Sequence, residues 1–239
     1  MNTNVLSGKE FNEKHKGIEF YKLLNEDLTY HGFTYKNGLN IDVNKLNPIE
    51  ECSKGGLYFN EKNNIPFWID LDFHFITRVY VPNDANVCIE KNKFKSDKLI
   101  VDIYNKFKIS EFQLWNDKDF CEMSVLQNAC SLKFIKEQTE DLCKMTVFKN
   151  WFALKYVKKQ TEELCKTAVK QNGYALQFVK EQTNEICYLA IQQDCFALQF
   201  VKKQTNEICY FAFKKDCNVY RYVKNKFNFC VYRLFNFFY

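Results

Sequence analysis

Thr161–Gln182 reads TEELCKTAVKQNGYALQFVKEQ, and the same phrase returns every 22 residues from Asp117 to Lys226. Four Gln-Thr pairs keep the beat: Gln138-Thr139, Gln160-Thr161, Gln182-Thr183 and Gln204-Thr205. Cys121, Cys143, Cys165, Cys187 and Cys209 fall on it too, as do Leu132, Leu154, Leu176 and Leu198, with Tyr220 completing the column. A fixed period of this length marks a stacked-repeat architecture.

Each unit predicts two short helices. Thr161 is placed to cap the first, because its hydroxyl accepts an otherwise unpaired backbone N–H. Glu162 and Glu163 follow in the first turn, where the helix dipole favours negative charge. Leu164, Cys165, Ala168 and Val169 share one face at helical spacing. Asn172-Gly173 ends that helix with turn chemistry. Tyr174, Ala175, Leu176, Phe178 and Val179 then give the apolar side of a second helix, which places Tyr156, Phe178 and Phe200 in the core. A helix of about ten residues is marginal alone in water. Stacking must therefore bury these faces, so the sequence predicts a right-handed or gently curved α-solenoid of five units over residues 117–226. The aromatic tail, 227–239, reads as a cap folded back on the last unit; its alternative is a sticky end that pairs with a second copy.

Before the repeats the pattern changes. Residues 1–17 are polar and read as a flexible lead-in. Residues 18–108 carry β-type runs at Ile18–Leu24, Gly55–Asn60, Phe75–Val81 and Leu99–Tyr104. In Phe75–Val81 the odd positions Phe75, Thr77, Val79 and Val81 face one way, and Ile76, Arg78 and Tyr80 the other. The expected fold class is α+β: a small β-rich module followed by helical repeats. Three Pro and seven Gly in 239 residues fit a loop-poor chain.

Charge is uneven. Residues 1–118 carry 16 basic and 17 acidic side chains, and residues 119–239 carry 18 and 12. Attraction to an acidic partner would reside in the repeats. Lys136, Lys158, Lys180, Lys202 and Lys224 recur on the 22-residue beat and define a candidate binding ridge. Lys133, Lys155, Gln177, Gln199 and Arg221 form a second polar column. The bland reading of both is a solvated face. Eleven cysteines without a CxxC, three histidines and a polar first stretch argue for free thiols in a reducing compartment and against a Cys/His metal site. Asp70, Asp72 and His74 alternate along one run and have the chemistry of a cation site, though such clusters are common. Cys52 and Cys88 lack an activating sequence context, and no P-loop, GxSxG or kinase pattern is present.

Phe20-Tyr21-Lys22-Leu23, His31-Gly32-Phe33-Thr34-Tyr35, Gly38-Leu39-Asn40, Gly55-Gly56-Leu57-Tyr58-Phe59 and Arg78-Val79-Tyr80-Val81-Pro82 occur in that order. Together they resemble an N-terminal module of mimivirus-like giant-virus repeat proteins, found there ahead of ankyrin repeats. The 22-residue units are similar to short helical repeats of bacteria and giant viruses. The resemblance implies a non-enzymatic viral protein that binds a host or viral protein in the host cytoplasm, the virus factory or the virion. His31-Gly32 and Gly55-Gly56-Leu57-Tyr58-Phe59 also resemble the pattern of ADP-ribosyltransferases. That likeness implies NAD as cofactor, with His31 and Tyr58 framing its nicotinamide riboside; the family's acid has no matching motif here, and Glu90 stands for it only as a guess. A third alternative is weak nucleic-acid binding by the basic repeats.

Overall fold

The fold is that of a computed structural model, which describes residues 5–48, 55–69, 73–226 and 229. It is α+β, and the chain divides into two compact units, Met1–Lys136 and Glu137–Tyr239.

In the first unit the strands are β1 (Val5–Ser7), β2 (Phe20–Leu24), β3 (Thr29–Tyr30), β4 (Phe33–Thr34), β5 (Gly38–Ile41), β6 (Leu57–Glu61), β7 (Phe75–Tyr80), β8 (Asn86–Ile89), β9 (Phe94–Ser96), β10 (Lys98–Val101) and β11 (Phe107–Lys108). Among the described residues the main sheet runs β1-β8-β9-β6-β2-β7-β10-β5, with β11 on β7 and β3-β4 as a separate hairpin. The pairings are antiparallel, and β2 meets β7 in the register Phe20↔Val79 to Leu24↔Phe75. That register keeps the alternation read from Phe75–Val81. Phe20, Leu24, Val79 and Val81 point into a core with Phe59, Leu99 and Val101, and Tyr21, Arg78 and Tyr80 take the other face.

The start of the chain corrects the flexible lead-in. Residues 5–7 pair with β8, and α1 (Gly8–Lys14) follows. Ser7 and Glu10 form a reciprocal capping box, in which the Ser7 hydroxyl accepts the Glu10 N–H and the Glu10 carboxylate accepts the Ser7 N–H. Phe11, on that helix, is fully buried against Phe20, Phe59 and Phe94. The Ser-x-x-Glu spacing carried this signal in the sequence.

The repeats build α2 (Lys118–Gln127) in the first unit, and α3 (Glu140–Lys149), α4 (Glu162–Gln171), α5 (Asn184–Gln193) and α6 (Asn206–Lys215) in the second. Asp117 caps α2, and Thr139, Thr161, Thr183 and Thr205 cap the others by accepting the N–H three residues on. In α4 the buried residues are Leu164, Cys165, Ala168 and Val169, as their spacing requires.

The second helix of each unit is a six-residue 3₁₀ segment: Ala129–Phe134, Trp151–Tyr156, Gly173–Phe178, Cys195–Phe200 and Cys217–Tyr222. The residue at the junction causes it. Asn172 donates its N–H to Ala168 and so closes α4, its side chain accepts the Tyr174 N–H at 2.9 Å, and its carbonyl accepts the Ala175 N–H at 2.9 Å. One Asn thus ends one helix and starts a tighter one. Asn128, Asn150, Asp194 and Asp216 do the same in their units.

Neighbouring units in Glu137–Tyr239 are joined by the Gln of the Gln-Thr pair. Gln182 donates its amide N–H to Leu176 O of its own unit and to Phe200 O of the next, while its oxygen accepts the Lys202 N–H at 2.8 Å. Gln160 and Gln204 repeat all three bonds, and Gln138 makes the two that reach forward, to Tyr156 and Lys158. The thiols of Cys143, Cys165, Cys187 and Cys209 donate to the same Gln oxygens at 3.7 to 4.0 Å.

Of the tail 227–239, only Phe229 is among the described residues. It is buried, with its ring 5.7 Å from Phe213 and 6.1 Å from Tyr220.

Gln182→Ala should lower the unfolding free energy by about 1–3 kcal/mol, because partly buried backbone groups lose their partners. Gln177→Ala, whose exposed amide only turns back to Tyr174 O, should change it little. Equal losses in urea denaturation would show that the amide bridge is not the join.

Candidate functional site

The 3₁₀ segments carry a column of aromatic rings that helical spacing had assigned to the core. Tyr156, Phe178, Phe200 and Tyr222 are only half-buried, as are Trp151, Phe152, Tyr174 and Phe196. The tight 3₁₀ turn explains the difference, since it buries Ala175, Leu176 and the following Val179 and turns Tyr174 and Phe178 outward. The rings contact one another from unit to unit. Phe152 lies 5.2 Å from Phe178, Tyr174 5.3 Å from Phe200, and Phe196 6.1 Å from Tyr222. Cations sit over the ends of this ladder: Lys155 above Phe152 and Tyr156, and Arg221 above Phe196 and Tyr222. Large, partly exposed aromatic rings and arginine guanidinium groups are side chains enriched at protein interfaces.

The lysine column has a structural use. Lys180 donates its ammonium to the carbonyls of Val157 and Lys158, Lys202 to those of Val179 and Lys180, and Lys224 to those of Val201 and Lys202. These carbonyls follow the last turn of the preceding 3₁₀ segment. Each of the three ammonium groups therefore ties its unit to the one before and keeps one N–H for other partners. Lys136 and Lys158 are exposed. Of the second column, Gln177 and Gln199 bond back to Tyr174 O and Phe196 O, within their own 3₁₀ segments.

In the N-terminal module the structure brings His31, Tyr58 and Glu90 into one polar cluster. His31 stands at positive φ, 51°, in the turn between β3 and β4, and its ring centre lies 6.1 Å from that of the buried Tyr58. Lys93 lies over the Tyr58 ring at 4.4 Å and 3.3 Å from a Glu90 oxygen, a charge contact without hydrogen-bond alignment. Lys95, fully buried, reaches Glu90 at 3.9 Å and donates to Asn47 O. Glu90 is thus flanked by two lysines. Lys22, on the core side of β2, donates to Tyr58 O at 2.8 Å and packs under the Tyr35 and Tyr30 rings. Burial lowers its pKa from 10.5 to about 7. The cavity beside Tyr58 and Asn60 is about 20 Å³, the size of one water and too small for a nicotinamide ring.

Asp70, Asp72 and Cys52 lie outside the described residues. Cys88 is buried and burial raises its thiol pKa, the opposite of an activated nucleophile. The repeat thiols are raised likewise, Cys165 and Cys209 to about 11. Among the described residues no helix is long and apolar enough to cross a membrane.

A family model described as a domain of unknown function (DUF4116) matches residues 139–182. Its limits run from the Thr139 cap to Gln182, the Gln of the second Gln-Thr pair that follows, in register with the units. The chain is similar to a putative ankyrin repeat protein of Acanthamoeba polyphaga mimivirus, 36% identical over 67 residues. That match covers 27% of this chain and only 33% of the relative, so the chain spans about a third of that protein. It is also similar to an uncharacterized protein of the same virus, 28% identical over 114 residues, or 46% of this chain and 81% of the relative. These matches connect the chain with proteins of a giant virus, one of them named for its repeats. No solved structure matches it.

Two outcomes are expected from the titrating groups. Between pH 7 and about 10 an unfolded Lys22 is protonated and the folded one is not, so stability should rise with pH by up to about 1.4 kcal/mol per unit. Lys22→Met should flatten that rise in denaturation curves taken across the range. In the native protein, the exposed Cys217 should react with a thiol reagent at once, and Cys143, Cys165, Cys187 and Cys209 only as the chain unfolds.

Proposed function

We propose that the chain is a non-enzymatic interaction protein of a giant DNA virus that binds a host or viral protein through its helical-repeat surface. The aromatic ladder of the 3₁₀ segments supports this reading: rings left half-exposed in successive units, with Lys155 and Arg221 over its ends. In a giant-virus infection such a protein would act in the host cytoplasm, the virus factory or the virion. Affinity would come from a few rings seated in the partner, with the cations selecting an acidic or carbonyl-rich surface. The lysine column serves the same surface indirectly, by holding the units in register.

The full chain can be tested by quantitative capture from infected host cells. Lys155→Glu and Arg221→Glu should each reduce the captured partner about tenfold, as loss of an interface anchor does, with unchanged melting. Lys118→Glu, on α2, should have no effect. Capture that ignores the ladder variants would refute the assignment.

The convergence of His31, Tyr58 and Glu90 favours a second reading, NAD binding by the N-terminal module. It requires the small cavity beside Tyr58 to widen. A titration in which NAD leaves the module's amide spectrum unchanged would eliminate it. Nucleic-acid binding by the basic repeats has less support, because Lys180, Lys202 and Lys224 already serve backbone carbonyls.

A further inference from the structure

The sheet face opposite the core holds a cleft of about 440 Å³, within the size range of small-ligand sites. Four aromatic rings from separate elements line it. Tyr21 on β2 and Phe112 form the buried floor, with ring centres 5.2 Å apart and edge to face. Tyr80 on β7 and Phe107 on β11 form the rim, 54% and 46% exposed. Rings left open at the mouth of a charged cleft cost hydration unless something covers them.

The charges in the cleft are unequal. Glu19 and Asp102 face a single cation, Arg78. Arg78 lies 2.7 Å from Glu19, and the Tyr21 hydroxyl donates to the other Glu19 oxygen at 2.6 Å. Tyr21 stays neutral, its pKa raised to about 12 chiefly by burial. Among the described residues the Asp102 carboxylate accepts only from the neutral Asn105 amide, at 2.9 and 3.2 Å, and has no ion pair, while its backbone carbonyl accepts the Thr77 hydroxyl. One negative charge is therefore left beside four aromatic rings, while the one guanidinium in the lining is already held. An anion would meet the Asp102 carboxylate, whereas a cation would gain both the carboxylate and the negative faces of the rings.

We propose that this cleft binds an organic cation, an alkylated or protonated ammonium group, against the Tyr80 and Phe107 rings with Asp102 as its counter-ion. The class includes a modified lysine side chain and a free quaternary amine. The site lies in the N-terminal module and does not depend on the repeat-surface reading.

Choline tests it directly in an amide NMR titration of the full chain. Choline should shift the Tyr80, Asn105 and Phe107 resonances saturably. Dimethylbutanol, its uncharged carbon isostere, should bind about tenfold more weakly, since the ring faces and the carboxylate respond to charge. Asp102→Asn should weaken choline by a similar factor, and so should Tyr80→Ala, a change at an exposed rim. Equal binding of choline and its isostere would make this a plain apolar cleft. Inorganic phosphate shifting the same resonances would make it an anion site centred on Arg78. Either result, or the absence of a saturable choline shift, would overturn the proposal.

Discussion

One primary amide per unit sets the geometry of residues 137–226. Where two units meet, the 3₁₀ segment of the second presents a carbonyl and, two residues later, an N–H. A Gln side chain has one donor group and one acceptor at the end of a flexible stem, so it completes both at once. Glutamate lacks the donor and lysine lacks the acceptor. The lysine column answers the remaining carbonyls from the opposite direction. Burial of Ala, Leu, Val and Cys side chains supplies the driving force, but burial is not directional. The amide and ammonium bonds fix which atoms face which, and so make the units equivalent.

The aromatic ladder follows from that fixed register. Rings on successive 3₁₀ segments touch only because each segment stands in the same relation to the one before. The Asn or Asp at the junction matters as much as the rings. By ending the α-helix and starting a tighter one, it turns two ring positions per unit outward that a continued α-helix would have buried.

The sequence disclosed what is local. The period, the Thr caps, the four buried positions of α4 and the alternation of Phe75–Val81 all depend on neighbours within a few residues, and all are present in the fold. The capping box at Ser7 and Glu10 is equally local, though it lies within a stretch whose composition is polar. Asn86–Ile89 and Phe94–Ser96 become strands through pairing with each other and with β1 and β6, and four- or three-residue runs carry no pattern of their own. Lys180, Lys202 and Lys224 look like a charged ridge because their partners are backbone carbonyls 22 and 23 residues back, which leave no trace in side-chain sequence. Lys22 and Lys95, buried in the sheet module, contradict every expectation drawn from residue type. The cleft between β2, β7 and β11 assembles residues from 19 to 113 and exists only in three dimensions.

The join made by the Gln residues runs from the tail of one unit to the head of the next, between unlike surfaces. Such an interface does not close on itself, and identical copies able to form it would grow into filaments. On the 22-residue beat, the position after Gln138, Gln160, Gln182 and Gln204 is held by Lys226. A lysine has three donors and no acceptor there, so the next amide bridge cannot be made in the same way. One changed side chain thus ends the series of amide bridges, and the bond pattern that orders residues 137–226 rests on that one position per unit.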